Sequence, residues 1–430
     1  MKIPSKIQQI IDELIDQYEF SDQSNRPWII GFSGGKDSTV LLTLVWMSLQ
    51  KLKDTIPDYK FKREIYVVCN DTLVENPIIT SYVEDVLGYI EKSALEQNLP
   101  VKVKKTIPKL DESFWINVIG KGYPVPNNTF RWCTDRLKIR PTSNFLHEQI
   151  DEKGEAIVLL GTRYDESKTR ELSIKKHEIA NQRLSPHNSS PNTKTYSPIK
   201  ELQLEEIWYI INTFPSPWNF DNSILFKIYS DASSDDYECP TVVTTKEHKS
   251  CGQSRFGCWT CTVVKKDKSM SSLIENGQKW LSPLLKFRDQ LQQERNMSGN
   301  RESTRRNGQT AVSEDGTNQG NYTPNYRYSI LKRLLNIQKE VKKTKPYINL
   351  ITNQELIAIQ VLWNRDLIFE KTVSELYKEI FGGEILNSSF KSISNIERRI
   401  LKEECENDLN VYNIIDNLIS AQQTKSLLVS

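Results

Sequence analysis

Short apolar runs recur along the first part of the chain and have the length of buried strands. Polar or glycine-containing sequence flanks each run, as is usual for strands in a compact domain. One run, VKVKKTI, alternates apolar and charged residues, which predicts a strand with one solvated face. The strands are predicted at residues 28–32, 64–70, 101–107 and 155–161.

Helical periodicity fills the sequence between these strands. Apolar residues recur every three to four positions over residues 3–18, and further helices are predicted at 37–53 and 77–97. Strands that alternate with helices are typical of α/β folds with a parallel sheet covered on both faces. Residues 1–215 are therefore predicted to form a doubly wound parallel sheet domain.

The pattern changes after Pro215. Turn-forming residues and four of the seven cysteines follow, which predicts a cysteine-rich segment at 216–290. Residues 296–321 have almost no apolar side chains, so burial cannot offset their ordering entropy, and a disordered linker is predicted at 295–325. Helical periodicity then returns and predicts a helical domain at 326–430.

Composition and charge narrow the class of protein. The 430 residues suffice for two or three domains, and 37% hydrophobic with 26% charged residues is typical of a globular chain. The net charge of +2 neither requires nor excludes a nucleic-acid partner. The chain has no apolar run of membrane-spanning length, acidic residues interrupt its N-terminal apolar positions, and its cysteines are unevenly spaced. These features predict a cytoplasmic protein with reduced thiols and no membrane association.

A loop rich in glycine and hydroxyl groups, SGGKDS, connects the first predicted strand to a helix. Glycine lets a backbone approach a ligand closely, and a helix N-terminus presents unpaired N–H groups and a positive dipole end. The spacing differs from that of a Walker A loop, and a serine-capped glycine turn is the alternative. We predict a phosphate site made by Ser33, Gly34, Gly35, Lys36, Asp37 and Ser38.

Asp37 stands out within this loop because a carboxylate repels phosphate. Its alternative role is a helix cap, which favours an acidic residue near the helix N-terminus. Beside a triphosphate, a cation has to lie between the carboxylate and the phosphates. We therefore predict that Asp37 contacts Mg²⁺ indirectly.

Polar side chains also follow the second and fourth strands. Asp71 and Thr72 come after the second strand, and Arg163 and Arg170 come after the fourth. The carboxyl ends of parallel strands share one edge of the sheet, where ligands of doubly wound folds bind. A single arginine is more often part of a surface salt bridge, but the set favours a phosphate-binding edge.

Four cysteines between residues 239 and 261 are separated by eleven, six and two residues. Four thiolates suit structural zinc or an iron–sulfur cluster, and the alternative is four unrelated buried cysteines. A zinc ribbon usually has two C-x-x-C pairs, whereas this segment has one. The spacing therefore favours a [4Fe-4S] cluster ligated by Cys239, Cys251, Cys258 and Cys261.

Cys133 has a different sequence context. It lies among Arg131, Arg136 and Lys138, whose charges favour a thiolate. It is predicted either to carry sulfur or to be a packing residue.

The loop resembles the PP-loop, SGGxDS, of ATP pyrophosphatases, which cleave ATP between its α and β phosphates. RWCTDRLK (131–138), GTRYDESKTR (161–170) and SPIKELQLEEIWYII (197–211) resemble motifs of the phosphoadenosine phosphosulfate (PAPS) reductase-like branch. Leu202 stands where that branch usually has tryptophan. The resemblance implies the PP-loop, adenine nucleotide α-hydrolase-like version of the α/β fold.

With SRFGCWTC (254–261), these motifs resemble the DndC and SspD family of DNA phosphorothioation proteins over most of residues 25–290. The resemblance implies that ATP activates a DNA phosphate and that sulfur replaces a non-bridging oxygen. It also implies a cysteine desulfurase as sulfur donor, with other Dnd or Ssp proteins as partners. The implied catalytic residues are Lys36, Asp37, Arg163, Arg170 and Cys133, with Asp71 and Thr72 beside the nucleotide.

Three alternatives remain open at this point. A PAPS or adenosine phosphosulfate reductase usually has a C-terminal E-C-G-[LI]-H element or an adjacent Cys-Cys pair, and the chain has neither. A tRNA thiolase shares the PP-loop and often a cluster. A scaffold subunit that uses the loop as a nucleotide sensor would bind ATP without producing pyrophosphate.

Overall fold

The computed structural model describes residues 3–21, 25–179, 182–187, 190–232, 257–383 and 408–418, and the single residues 385, 402 and 405. The chain divides into two compact units. Within the described residues, no helix combines the length and the apolarity needed to cross a bilayer. The first unit comprises Met1–Ile107, Leu137–Trp259 and Asp267–Lys279, and the second comprises Pro108–Arg136, Thr260–Lys266 and Trp280–Ser430.

These bounds differ from the predicted domains at 1–215, 216–290 and 326–430. The reason is an apolar segment of the N-terminal half that belongs to the second unit. In that unit Trp115 is fully buried, and its indole N–H donates to the carbonyl oxygen of Leu350 at 2.7 Å. Periodicity along a sequence does not show which distant segment will cover an apolar run. The assignment of Pro108–Arg136 to the second unit could therefore not be predicted.

A six-stranded sheet forms the centre of the first unit, in the order β3-β2-β1-β4-β6-β5. All neighbouring strands are parallel except β5, which is antiparallel to β6. The predicted α/β fold with a mainly parallel sheet is confirmed. The strands are β1 (Trp28–Gly31), β2 (Ile65–Asn70), β3 (Val101–Thr106), β4 (Ala156–Leu159), β5 (Ser185–His187) and β6 (Ser190–Tyr196).

The helices of the first unit confirm the predicted helical segments at 3–18, 37–53 and 77–97. These three are α1, α2 and α3. The helices are α1 (Ser5–Glu19), α2 (Lys36–Thr55), α3 (Pro77–Glu96), α4 (Arg140–Lys153), α5 (Lys168–His177), α6 (Leu204–Thr213), α7 (Asn222–Ala232) and α8 (Lys268–Glu275).

Alternate residues of the central strands supply two hydrophobic cores. Ile30 and Val67 face a large core that also contains side chains of α1, α2, α3, α6 and α7. Ile29 and Val68, the neighbouring residues, pack with Phe145 of α4 on the other face. This alternation follows from the period of two in a strand, and it covers both faces of the sheet.

The second unit is mainly helical. Its helices include α9 (Ser282–Glu294), α10 (Pro324–Thr344), α11 (Asn353–Arg365) and α12 (Val373–Phe381). Leucine or isoleucine side chains of these four helices form its core, and a π-helical turn at Ile116–Gly120 packs against α10 and α11. Residues 409–418 are also helical.

The polar segment at 296–321, which composition predicts to be disordered, is ordered in the structure. Isolated antiparallel bridges join Arg301 to Tyr322, Thr304 to Thr310 and Val312 to Asn318. The Arg301 side chain is buried, and its Nε donates to the carbonyl oxygen of Gly320 at 2.7 Å. Backbone and arginine hydrogen bonds therefore order a loop that contains few apolar residues.

Candidate active site

The glycine-rich loop lies between β1 and α2, at the carboxyl edge of the sheet. Gly34 has a φ of +71°, and a Cβ atom there would be 2.5 Å from Cγ2 of Val83 on α3. A left-handed conformation and this close approach both require glycine. The loop is thus held against α3 with its backbone at the surface of the sheet edge.

Three backbone amides of this loop donate to hydroxyl oxygens. The N–H of Ser33 donates to Ser38 Oγ, the N–H of Gly35 to Ser33 Oγ, and the N–H of Lys36 to the Tyr229 hydroxyl, each at 3.3 Å. These distances are at the long end for hydrogen bonds, so the contacts are weak. An anionic oxygen is a stronger acceptor than a hydroxyl, and the helix N-terminus favours it further.

Asp37 is held by Arg163. Arg163 Nε lies 2.6 Å from Asp37 Oδ1, and Lys36 Nζ lies 3.6 Å from Asp37 Oδ2. Arg163 is almost fully buried and also donates to the carbonyl oxygen of Leu202 at 3.1 Å. Burial disfavours the charged guanidinium, but the carboxylates of Asp37 and Asp165 raise the pKa of Arg163 above its usual value. Arg163 therefore positions the loop through Asp37, and the predicted indirect Mg²⁺ contact of Asp37 stays a prediction.

The end of β4 also approaches the start of α2 closely. A Cβ atom at Gly161 would lie 3.0 Å from the carbonyl oxygen of Asp37 and 3.2 Å from the amide nitrogen of Ser38. Backbone atoms cannot move aside as a flexible side chain can. Glycine at 161 therefore allows the motif that contains Arg163 to reach the glycine-rich loop at 33–38.

A cavity of 390 Å³ opens beside the loop within the first unit. Ser33 and Gly31 line it together with apolar side chains from both faces of the sheet, among them Ile29, Val68 and Val83. Ligand pockets of this size typically combine apolar walls with a few polar groups. The cavity is large enough for a nucleobase next to the loop.

Charged side chains from β3, from the segment that follows β2 and from the segment before α4 line the same cavity. Lys105 Nζ lies 2.9 Å from Asp71 Oδ2, and Lys138 Nζ lies 3.9 Å from Glu75 Oε1. Burial raises the pKa of Glu75, while Lys138 opposes the shift. The predicted residue Asp71 and its neighbour Thr72 thus lie at the carboxyl edge of the sheet, as expected for residues that follow β2.

Cys258 lies at this same edge. Its Sγ is 3.3 Å from Thr72 Oγ1 and 3.9 Å from Glu75 Oε1. The adjacent backbone pairs with the segment after β2, because the N–H of Trp259 donates to the carbonyl oxygen of Val74 at 3.0 Å. A thiol and the residues that follow β2 are therefore brought together, which spacing along the sequence does not show.

The predicted four-cysteine cluster stays a prediction, because Cys239 and Cys251 lie outside the described residues. Cys261 is described and belongs to the second unit, where buried Arg288 donates to its carbonyl oxygen at 2.7 Å. Among the residues that the structure describes, no group of three or more His, Cys, Asp or Glu side chains could hold a metal ion.

Two further predicted catalytic residues are Arg170 and Cys133. The Arg170 side chain is 40% exposed and forms an ion pair with Glu166, with Nε 3.4 Å from Oε2. Cys133 is half-buried and belongs to the second unit. Their catalytic roles stay predictions. Tyr229 of α7, by contrast, contacts the loop, and no motif or spacing in the sequence indicated it.

The first comparison is with models of protein families. Residues 27–264 match the family model described as the phosphoadenosine phosphosulfate reductase domain. An uncharacterized protein of Methanocaldococcus jannaschii, MJ0066, is 29% identical over 173 residues, which are 38% of this chain and 30% of that protein. The chain thus matches less than a third of the length of this relative.

The next comparison is with solved structures. The PAPS reductase of Candida auris in its phosphate complex is 15% identical with a TM-score of 0.29, and the match covers 51% of this chain and 91% of that one. The U34-tRNA thiolase NcsA of Methanococcus maripaludis with its [4Fe-4S] cluster is 14% identical with a TM-score of 0.27, covering 52% and 72%. These values are too low to carry an inference about activity.

Proposed function

The chain belongs to the phosphoadenosine phosphosulfate reductase domain family of the PP-loop superfamily, whose members are nucleotide-using enzymes, and from this premise we propose that it is an ATP pyrophosphatase of DNA phosphorothioation. The loop at 33–38 would hold the pyrophosphate portion of ATP. The adjacent cavity would hold the base. DNA would be the acceptor, and sulfur would replace a non-bridging oxygen of its backbone.

One observation carries the proposal beyond nucleotide binding. Cys258 Sγ lies 3.3 Å from Thr72 Oγ1, in the segment that follows β2. The phosphate loop follows β1, the strand that pairs with β2 in parallel. A thiol and a phosphate site at one edge of a sheet suit a reaction in which sulfur attacks an activated phosphate.

The proposed reaction has two displacement steps. A non-bridging oxygen of the DNA phosphate attacks the α-phosphorus of ATP, the α–β phosphoanhydride bond breaks, and pyrophosphate leaves. A cysteine persulfide, supplied through a cysteine desulfurase, then attacks the DNA phosphorus through its terminal sulfur, and AMP leaves with the original oxygen. A thiol finally breaks the sulfur–sulfur bond by disulfide exchange, so that one sulfur remains on phosphorus.

Residues of the chain would bind and orient the groups in these steps. The N–H groups of the loop and the Lys36 ammonium would hold the leaving pyrophosphate. The pair of Arg163 and Asp37 would keep the loop in place. A [4Fe-4S] cluster, bound by the cysteine-rich segment, would supply sulfur or redox chemistry, and other Dnd or Ssp proteins would present the DNA.

Replacement of Lys36 by alanine tests the nucleotide step. We expect pyrophosphate release from ATP in the presence of Mg²⁺ and DNA to fall about 100-fold, because one cation at the leaving group is lost. The matched control is Lys51→Ala on the same helix, since Lys51 pairs with Asp12 at 2.7 Å on the exposed surface. That variant should stay within roughly twofold of wild type.

The acceptor is identified by mass spectrometry of digested nucleic acids from cells that express the chain with its partners. Phosphorothioate dinucleotides in DNA, lost in Lys36→Ala, are the expected result. A thionucleoside in tRNA would instead show a tRNA thiolase. Binding of ATP without pyrophosphate release, with DNA modification intact in Lys36→Ala, would show a scaffold subunit.

Replacement of Cys258 by serine tests the cluster. We expect wild-type protein purified without oxygen to contain about four iron and four sulfide per chain, and the variant to lose most of both. Cys405→Ser is the control, because Cys405 lies outside the cysteine-rich segment. A colourless wild-type protein with about one zinc per chain would contradict the cluster.

A further inference from the structure

Tyr229 lies in the last turn of α7, next to the phosphate loop. Its side chain is 6% exposed, and its ring packs edge-to-face on Trp208 of α6, with centroids 5.3 Å apart and planes at 81°. A buried aromatic ring held in this way has little freedom to move. The position of its hydroxyl group is therefore fixed by the fold.

Both ends of Lys36 contact this tyrosine. The backbone N–H of Lys36 donates to the Tyr229 hydroxyl at 3.3 Å, and the ammonium lies 5.1 Å from the centroid of the ring. Space for the hydroxyl depends on Gly35, where a Cβ atom would lie only 3.2 Å from it. The loop is therefore shaped around this hydroxyl group.

The Tyr229 hydroxyl is one of three hydroxyl groups that accept hydrogen bonds from backbone N–H groups of the loop. Ser33 Oγ, Ser38 Oγ and the Tyr229 hydroxyl each accept one loop N–H at 3.3 Å. The two serines come from the loop itself, whereas the tyrosine comes from a helix 193 positions further along the chain. A hydroxyl group can accept one hydrogen bond and donate another at the same time.

We propose that Tyr229 is a further phosphate-binding residue of this loop. Its oxygen accepts the N–H of Lys36, and its hydrogen is donated to a phosphate oxygen of the bound pyrophosphate group. This inference rests on the proposed function, in which the loop holds the pyrophosphate portion of ATP. It also links the loop to α7, a helix within the cysteine-rich segment at 216–290.

The test is the variant Tyr229→Phe in the full chain. Phenylalanine keeps the ring that packs on Trp208 and faces the Lys36 ammonium, and it removes only the oxygen. Dissociation constants are measured by calorimetry for three probes: Mg·ATP, inorganic pyrophosphate and AMP. We expect the constants for ATP and pyrophosphate to rise about 10-fold, as loss of a hydrogen bond to a charged acceptor predicts, and that for AMP to stay unchanged.

Tyr196→Phe is the matched control. Tyr196 is also buried in the first unit, and its hydroxyl contacts Glu13 Oε1 at 3.1 Å. This variant should bind all three probes as wild type does. If Tyr229→Phe does not fold, as thermal unfolding would show, Gly35→Ala replaces it. A Cβ atom there would lie 3.2 Å from the Tyr229 hydroxyl and 3.3 Å from Ser33 Oγ, so both oxygens have to shift by a few tenths of an ångström.

The outcomes separate the two proposals. Wild type that binds ATP and pyrophosphate, together with an unchanged Tyr229→Phe, overturns the role of Tyr229 and leaves the proposed function intact. Equal weakening of ATP, pyrophosphate and AMP also overturns it, because that result indicates a deformed site. Wild type that binds neither ATP nor pyrophosphate overturns the proposed function, and the role of Tyr229 with it.

Discussion

Replacement of Arg163 by alanine is expected to lower the free energy of unfolding of the first unit by about 3 kcal/mol and to abolish nucleotide binding. Arg163 is almost fully buried and contacts the carboxylates of Asp37 at 2.6 Å and Asp165 at 3.3 Å. Its removal leaves two carboxylates close together without their cation. The glycine-rich loop at 33–38 then loses the contact that holds Asp37 at the start of α2.

The measurements are urea unfolding and calorimetric titration with Mg·ATP. Arg163→Lys keeps the charge but not the planar group that reaches Asp37, Asp165 and the carbonyl oxygen of Leu202, so an intermediate loss is expected. Arg170→Ala is the control from the same motif. Its side chain is 40% exposed, and its loss should change stability by less than about 0.5 kcal/mol. Equal effects of the alanine variants at 163 and 170 would contradict a special role for the buried pair.

Replacement of Gly320 by alanine is expected to destabilise the second unit by about 3 kcal/mol, the upper end for overpacking. A Cβ atom at Gly320 would overlap the carbonyl oxygen of Thr304 and lie 2.5 Å from that of Glu302. These are backbone atoms, and the N–H of Gly320 also donates to the Glu302 carbonyl oxygen at 2.8 Å. The loop at 296–321 would have to open to accept the methyl group.

Gly299→Ala provides the matched control in the same loop, because no atom lies within 4 Å of a Cβ atom built there. Thermal unfolding and limited proteolysis of both variants measure the difference. We expect early cleavage within 296–321 for Gly320→Ala only. If both variants behave as wild type, the loop is disordered in solution, as its composition alone predicted.

Several strands and helices could be predicted from the sequence, whereas others could not. The strands at Ile65–Asn70 and Val101–Thr106 and the helix at Pro77–Glu96 were predicted to within a residue or two. Their patterns are local, since burial of one face imposes a period of two or 3.6 on neighbouring residues. β6 could not be found in this way, because SPNTKTY has few apolar side chains and depends on β4 for its hydrogen bonds.

The order of residues 296–321 escaped prediction for a different reason. Disorder was predicted because this loop has few apolar side chains. Its order comes instead from arginines that satisfy backbone carbonyls: Arg301 donates to Gly320, and Arg306 donates to Lys121 and forms an ion pair with Asp366. The partners of Arg306 lie 185 and 60 residues away along the chain.

The sequence by itself determined the α/β class and the position of the glycine-rich loop between β1 and α2, because each depends on a short run of neighbouring residues. Only the tertiary structure decided what surrounds that loop. Arg163 holds Asp37, while its catalytic role stays a prediction, and Tyr229 reaches Lys36 from α7. Such contacts depend on how distant segments fold together, and a side chain's own sequence neighbourhood carries no record of them.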